Sequence, residues 1–237
     1  MLIGGSSCNL NKMQHRKTPW KKSRTFGDVY GGRERRRFSD NIFARAHSLQ
    51  SPSPDEDLPI LIEENPSRDF FFPLSGAEVV EALKSLPRRD HQDITHVWMR
   101  RLRKSDYLAN TAPYATFSCG SGVHLITMYP FPRDLRFSFG PRRPSNAGLN
   151  DARLFGAQIR RTGKNWTAVW TLPALRKFYL HILYHEVGHH VDWFDRHWSA
   201  ANGRQLEEAA EQYAYAKTAT AHHVFNRLNK RIDDRTS

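Results

Sequence analysis

The chain has 237 residues, of which 39% are hydrophobic and 25% charged, with a formal net charge of +12. That length supports one full domain with extensions, and no apolar run approaches the length of a bilayer span. Cys8 and Cys119 are the only cysteines; they have neither zinc-site spacing nor the numbers of a disulfide framework. A reducing, cytoplasmic setting is expected, and Met1-Leu2-Ile3-Gly4-Gly5 is too short and polar to begin a signal peptide.

Charge is unevenly spread. Residues 1–50 hold eleven Lys or Arg against three acids and show no apolar periodicity, so they read as a disordered basic arm. Residues 12–45 carry these cations and are a candidate site for nucleic acid or another polyanion. Residues 51–69 open with Ser51-Pro52-Ser53-Pro54-Asp55-Glu56-Asp57 and read as a Ser/Pro-rich acidic linker, whose acids can pair with the arm in cis. From residue 70 to residue 237 the composition is that of a globular domain.

Residues 74–86 predict a helix. Ser75 is placed to cap it, and Glu78 stands three residues on in a capping-box pattern. Val79, Val80, Leu83 and Leu86 form its apolar stripe, and Pro87 ends it. Residues 94–102, 122–129 and 135–139 read as strands, with His96 expected at a surface or cross-strand position. Residues 141–151 (PRRPSNAGLND) read as loop. Residues 154–161 and 165–172 flank Thr162-Gly163-Lys164, a hairpin signal. The second arm is expected to run directly into a helix and to offer an edge to an extended peptide. Leu175, Phe178, Tyr179, Ile182 and Leu183 recur at helical spacing. Thr171 is placed as its cap and Pro173 in its first turn.

Within that helix lies Tyr184-His185-Glu186-Val187-Gly188-His189-His190. His185 and His189 are four residues apart, so both imidazoles fall on one helical face, where they can meet one tetrahedral Zn²⁺. Glu186 sits beside them, able to reach a metal-bound water without being a ligand. This is the H-E-x-x-H arrangement of zinc metallopeptidases. Gly188 costs helix stability, and its small size lets another backbone come close. His181 lies one turn before His185 on the same face and His190 points aside; both are expected to be packing or solvated histidines.

A catalytic zinc takes three protein ligands and one open position. A sharp turn after the helix would bring Asp192 or Asp195 into play, but Asp192 is a poor residue for the left-handed turn required. His197 is a further outsider. After a break at Asn202-Gly203, residues 204–231 predict a second helix carrying Glu207-Glu208-Ala209-Ala210-Glu211-Gln212-Tyr213-Ala214. Glu207 and Glu211 share one face. One of these carboxylates can bind metal while the other accepts the Nδ1–H of a ligating histidine.

H-E-x-G-H on one helix, followed by a Glu-bearing, alanine-rich helix, resembles the gluzincin metallopeptidases and is most similar to ImmA/IrrE-type and minimal-gluzincin domains. The resemblance covers about residues 154–230. It implies an α+β, zincin-like fold: a small, twisted, mainly antiparallel sheet packed on the motif helix and the glutamate helix. It further implies one Zn²⁺ per chain held by His185, His189 and Glu207, with Glu186 as general base. Glu208 competes for the ligand position, and Glu211 stands where these families often have Asp or Asn. The oxyanion donor would come from Tyr213, Tyr215 or His222, with His223 also near. The function expected is hydrolysis of peptide bonds in an intracellular protein or peptide, with no membrane partner. The alternative is a nucleic-acid- or protein-binding module in which the basic arm binds and the zinc domain is structural or inactive.

Overall fold

The computed structural model describes residues 49–102, 105, 107, 113–144, 146–195, 202–221 and 223–229. The basic arm lies outside them. The architecture is mixed α and β, with three small sheets.

The largest sheet has four strands in the order β1-β3-β5-β4, where β1 is Ile60–Glu63, β3 is His96–Met99, β4 is Ala115–Gly120 and β5 is Val123–Met128. β1, β3 and β5 run parallel, and β4 returns antiparallel to β5 through a tight hairpin. Ser121 (φ +49°) and Gly122 (φ +73°) form that turn, both in the left-handed region that two-residue hairpins favour. A two-stranded ribbon joins β2 (Phe70–Phe71) to β6 (Phe131–Pro132). The third sheet, β7-β9-β8, is antiparallel throughout. It comprises β7 (Arg136–Gly140), β8 (Gln158–Thr162) and β9 (Asn165–Val169). Four of the six strand pairings among the described residues are thus antiparallel, but they are divided between sheets instead of forming one.

Between β1 and β3 lie α1 (Gly76–Lys84) and the short α2 (Arg88–His91). The capping box forms as the sequence predicts. Glu78 N donates to Ser75 Oγ at 3.3 Å, and Ser75 N donates to Glu78 Oε2 at 2.9 Å.

β9 leads through Trp170 and Thr171 into α4 (Leu172–Asp195), the longest helix described. Thr171 caps it: its carbonyl accepts from Leu175 N at 2.9 Å and its hydroxyl from Ala174 N at 3.4 Å. α4 is buried along most of its length, with Leu175, Tyr179, Leu180, Leu183, Tyr184 and Val187 in the core and Arg176, His181, Glu186 and His190 buried beside them, as befits a helix enclosed by its neighbours. β4 and β5 pack on it from one direction, and α5 (Gly203–Thr220) lies along it from another. Residues 223–229 add a further helical stretch. No helix among the described residues is long and apolar enough to cross a membrane.

Several elements depart from expectation for identifiable reasons. α3 (Asn146–Leu154) occupies the stretch expected to be loop. Leu149, Ala152 and Phe155 recur at three-residue spacing and are buried, and that burial outweighs the local Gly, Asn and Pro signals. β1 falls inside the stretch read as linker and pairs with β3. β4 was hidden by its small residues, yet Ala115, Phe117 and Cys119 alternate into the core. Of the two positions expected for His96 the structure gives the cross-strand one: it is buried, paired with Ile60 and Leu125, and its Nδ1 lies 2.9 Å from Thr95 Oγ1. β9 is the central strand of its sheet, paired on both sides, so it offers no edge to a peptide.

One buried and one partly buried ion pair fix the helices around α4. Arg176 Nη2 donates to Glu78 Oε1 at 2.8 Å and to Leu228 O at 3.1 Å, while Nη1 donates to Pro73 O at 2.7 Å. Asp90 Oδ2 accepts from Tyr213 Oη at 2.7 Å and from Lys217 Nζ at 2.9 Å, tying α2 to α5. Burial pushes both carboxyls up. For Glu78 the Arg176 and Ser75 donors outweigh it, and for Asp90 the Lys217 and Tyr213 donors do, so each is held below its ordinary value. A carboxyl depressed on folding stabilises the fold above its unfolded pKa, and that contribution is lost as pH falls through the folded one. Glu78→Gln should therefore cost about 3 kcal/mol at neutral pH, as expected when one partner of a buried pair is removed. It should also flatten the acid limb of the stability profile; urea denaturation of EDTA-treated protein between pH 3 and 7 measures both.

Candidate metal centre

α4 carries His185, Glu186 and His189, and α5 carries Glu207 and Glu211. How far apart these two sets lie depends on one contact. A Cβ built on Gly188 would sit 2.8 Å from Ala210 Cα and 3.0 Å from Ala210 O. Real Cβ atoms do not approach backbone that closely, so only glycine allows α4 and α5 to meet here.

With the helices this close, His185 Nε2 lies 3.1 Å from His189 Nε2. Glu207 Oε2 lies 3.3 Å from the first nitrogen and 3.5 Å from the second. Four-coordinate zinc with bonds of about 2.0–2.1 Å separates its ligand atoms by about 3.4 Å. The three donors already stand at that spacing, and two imidazoles with one carboxylate are a donor set that catalytic zinc uses. The residues present therefore fit the ion. The two imidazoles are mostly enclosed, whereas the Glu207 side chain is 67% exposed, so the cluster is open on that side.

Glu211 holds the first histidine from behind. Its Oε2 is 3.0 Å from His185 Nδ1, and its Oε1 is 3.2 Å from His181 Nε2. This leaves His185 Nε2 as the nitrogen facing Glu207 and fixes the ring plane. His181 is buried, with its Nδ1 3.3 Å from Thr218 Oγ1. The hydrogen bonds from His181 and His185 hold the Glu211 carboxyl well below the usual carboxylate range against the effect of burial, and Tyr215 adds another. Burial acts to lower the His185 pKa, but the Glu211 hydrogen bond and the nearby carboxylates of Glu186, Glu211 and Glu207 outweigh it and raise it.

The other sequence candidates separate clearly. Glu208 points to solvent, where its Oε1 meets Arg204 Nε at 3.0 Å, so Glu207 and not Glu208 faces the histidines. α4 continues unbroken to Asp195, which removes the sharp turn that would have recruited Asp192 or Asp195. Tyr213 is corrected as an oxyanion donor, since its hydroxyl is committed to Asp90. Tyr215 is partly exposed, and its ring lies 4.7 Å from that of His181. His197 and His222 fall outside the described residues, and His223 is exposed on the helical stretch beyond α5. His190 does point away from the cluster: its Nδ1 lies 3.1 Å from His124 Nδ1, and burial pushes its pKa down to about 3. Glu186 is 7% exposed. The sequence reading missed the part played by His181; the spacing of 181, 185 and 189 at successive fours was the available signal.

No protein-family model, curated protein or solved structure matches the chain.

Gly188→Ala tests the helix contact. Alanine is the better helix former by about 1 kcal/mol, yet the added methyl must push α5 away, at a typical overpacking cost of about 1–3 kcal/mol. The expected outcome is a protein no more stable than wild type whose zinc affinity falls at least tenfold, read by competition with a chromophoric chelator.

Proposed function

We propose that the chain is a zinc-dependent hydrolase of peptide bonds, a gluzincin-type metallopeptidase. The observation that carries this reading is that one donor atom from each of His185, His189 and Glu207 lies within 4.8 Å of the others, with Glu186 on the same helix turn. When bound there, Zn²⁺ would lower the pKa of a coordinated water towards about 7 and polarise a carbonyl oxygen.

The protein's own residues supply the rest. Glu186 accepts the proton from the attacking water and delivers it to the departing amine, the paired general-base and general-acid roles of one carboxylate. Glu211 keeps His185 in the tautomer that leaves Nε2 free, and His181 keeps Glu211 in place. Of the residues expected to steady the developing oxyanion, Tyr213 is committed to Asp90 and Tyr215 to Glu211, and His222 lies outside the described residues. A structural zinc site is closed by four protein ligands; three donors with an exposed Glu207 favour a catalytic site over a structural one. Residues 12–45, the candidate site for a polyanion, lie outside the described residues.

Metal content is the first measurement. Near-stoichiometric zinc in wild type, retained in Glu208→Ala and reduced at least tenfold in Glu207→Ala, is expected. Zinc that follows Glu208 instead, or a folded wild type that binds none, would sink the ligand assignment. Glu186→Gln should keep its zinc and lose hydrolysis by about 10²–10⁴-fold, the usual contribution of a positioned acid–base group. Casein or a peptide library serves as substrate.

A further inference from the structure

A cavity of about 350 Å³ lies between the β7-β9-β8 sheet, α3, α4 and α5. Its walls are aromatic and aliphatic: Phe137 and Phe139 from β7, Trp170 after β9, Phe155 after α3, and Phe178 and Ile182 from α4. Tyr114 completes the aromatic wall, and the charged or ionisable side chains towards α5 are His181 and Glu211. These are the pair that orients His185, so the cavity adjoins the metal cluster through a shared wall.

Protein interiors are packed to the density of organic crystals, with few voids larger than a water molecule. An apolar space of this size is too large for a packing defect and falls in the range of ligand sites. Its rings are pre-ordered by one another. Trp170 stacks on Phe178 with centroids 4.9 Å apart, and Phe155 packs on His181 at 4.6 Å. Phe137, Phe139 and Ile182 are only partly buried, although they pack against the core. That combination, rigid apolar walls with one face towards solvent, suits an apolar guest that arrives from outside.

We propose that this cavity is the specificity pocket of the hydrolase, receiving a large apolar side chain, aromatic by preference, from a substrate residue flanking the scissile bond. The inference rests on the hydrolase reading, because the shared His181–Glu211 wall sets the guest beside the metal cluster. Glu211 and His181 then have two functions. They orient His185, and they limit the depth of the pocket, rejecting an acidic side chain that would meet the Glu211 carboxylate.

The test separates binding from hydrolysis. The peptides Ac-Ala-Ala-X-Ala-Ala-NH₂, with X as Phe, Leu, Ala or Asp, are titrated calorimetrically into the zinc-loaded full chain carrying Glu186→Gln, and the same peptides are offered to wild type for cleavage. The Phe peptide should bind at least tenfold more tightly than the Ala peptide, the effect expected of burying a phenyl ring, and the Asp peptide most weakly. Ala168→Phe, which fills the cavity from β9, should reduce the Phe-over-Ala preference to less than threefold. Should that variant fail to fold, Phe139→Ala at the partly buried rim should still reduce the preference at least threefold. Equal or undetectable binding of the Phe and Ala peptides overturns the pocket, as does a preference that survives these substitutions unchanged. A preference that behaves as expected, with no cleavage by zinc-loaded wild type, supports the pocket and overturns the hydrolase reading alone.

Discussion

At Gly188 and Ala210 the two helices of the site meet backbone to backbone, and the position of every donor follows from that approach. A helix pair separated by ordinary side chains has its axes about 8–10 Å apart. A glycine facing an alanine brings the axes towards the short end of that range. The short carboxylate arms of Glu207 and Glu211 then reach the imidazoles on α4 without help from a loop. The Asp90 link to Tyr213 and Lys217 holds α5 from a second direction. The His185–His189–Glu207 cluster is thus built on two helices whose separation is set at Gly188 and Ala210 and braced by the Asp90 link.

Along α4 the histidines at 181, 185 and 189 form a ladder, each one turn above the last. Only the upper two face Glu207. The lowest is spent on Glu211, which in turn is spent on His185. Such chains of hydrogen bonds polarise one another in a low-dielectric setting, and here the chain ends at a nitrogen that faces the open side of the cluster. Order in the cluster therefore depends on a buried residue that is not one of its three donors.

Much of this was legible in the sequence, and the remainder was hidden for physical reasons. The capping box, the hairpin turn at Gly163, the strand feeding α4 and the need for a small residue at 188 are local or periodic signals, and each is present in the fold. Which acid of Glu207-Glu208 faces the histidines is a matter of helix phase against a neighbour, and sequence spacing does not fix that phase. The burial of β9 at the centre of its sheet depends on β7, which enters from thirty residues upstream, and no local pattern reports it. α3 and β1 carry weak intrinsic signals and are held by tertiary packing.

Arg176 has a consequence for how the molecule opens. Its guanidinium joins the segment before α1, the capping carboxylate of α1 and the carbonyl of Leu228 to the interior of α4. Breaking the bond to Glu78 leaves a buried charge unpaired, and breaking either bond to a carbonyl leaves a buried polar group unsatisfied. The four segments should consequently exchange their amide hydrogens as one cooperative unit, although they come from parts of the chain about a hundred and about fifty residues away from Arg176. Slow exchange at the start of α4 would then extend through residues 223–229, and the turns that carry His185 and His189 would lie inside the most persistent part of the native state.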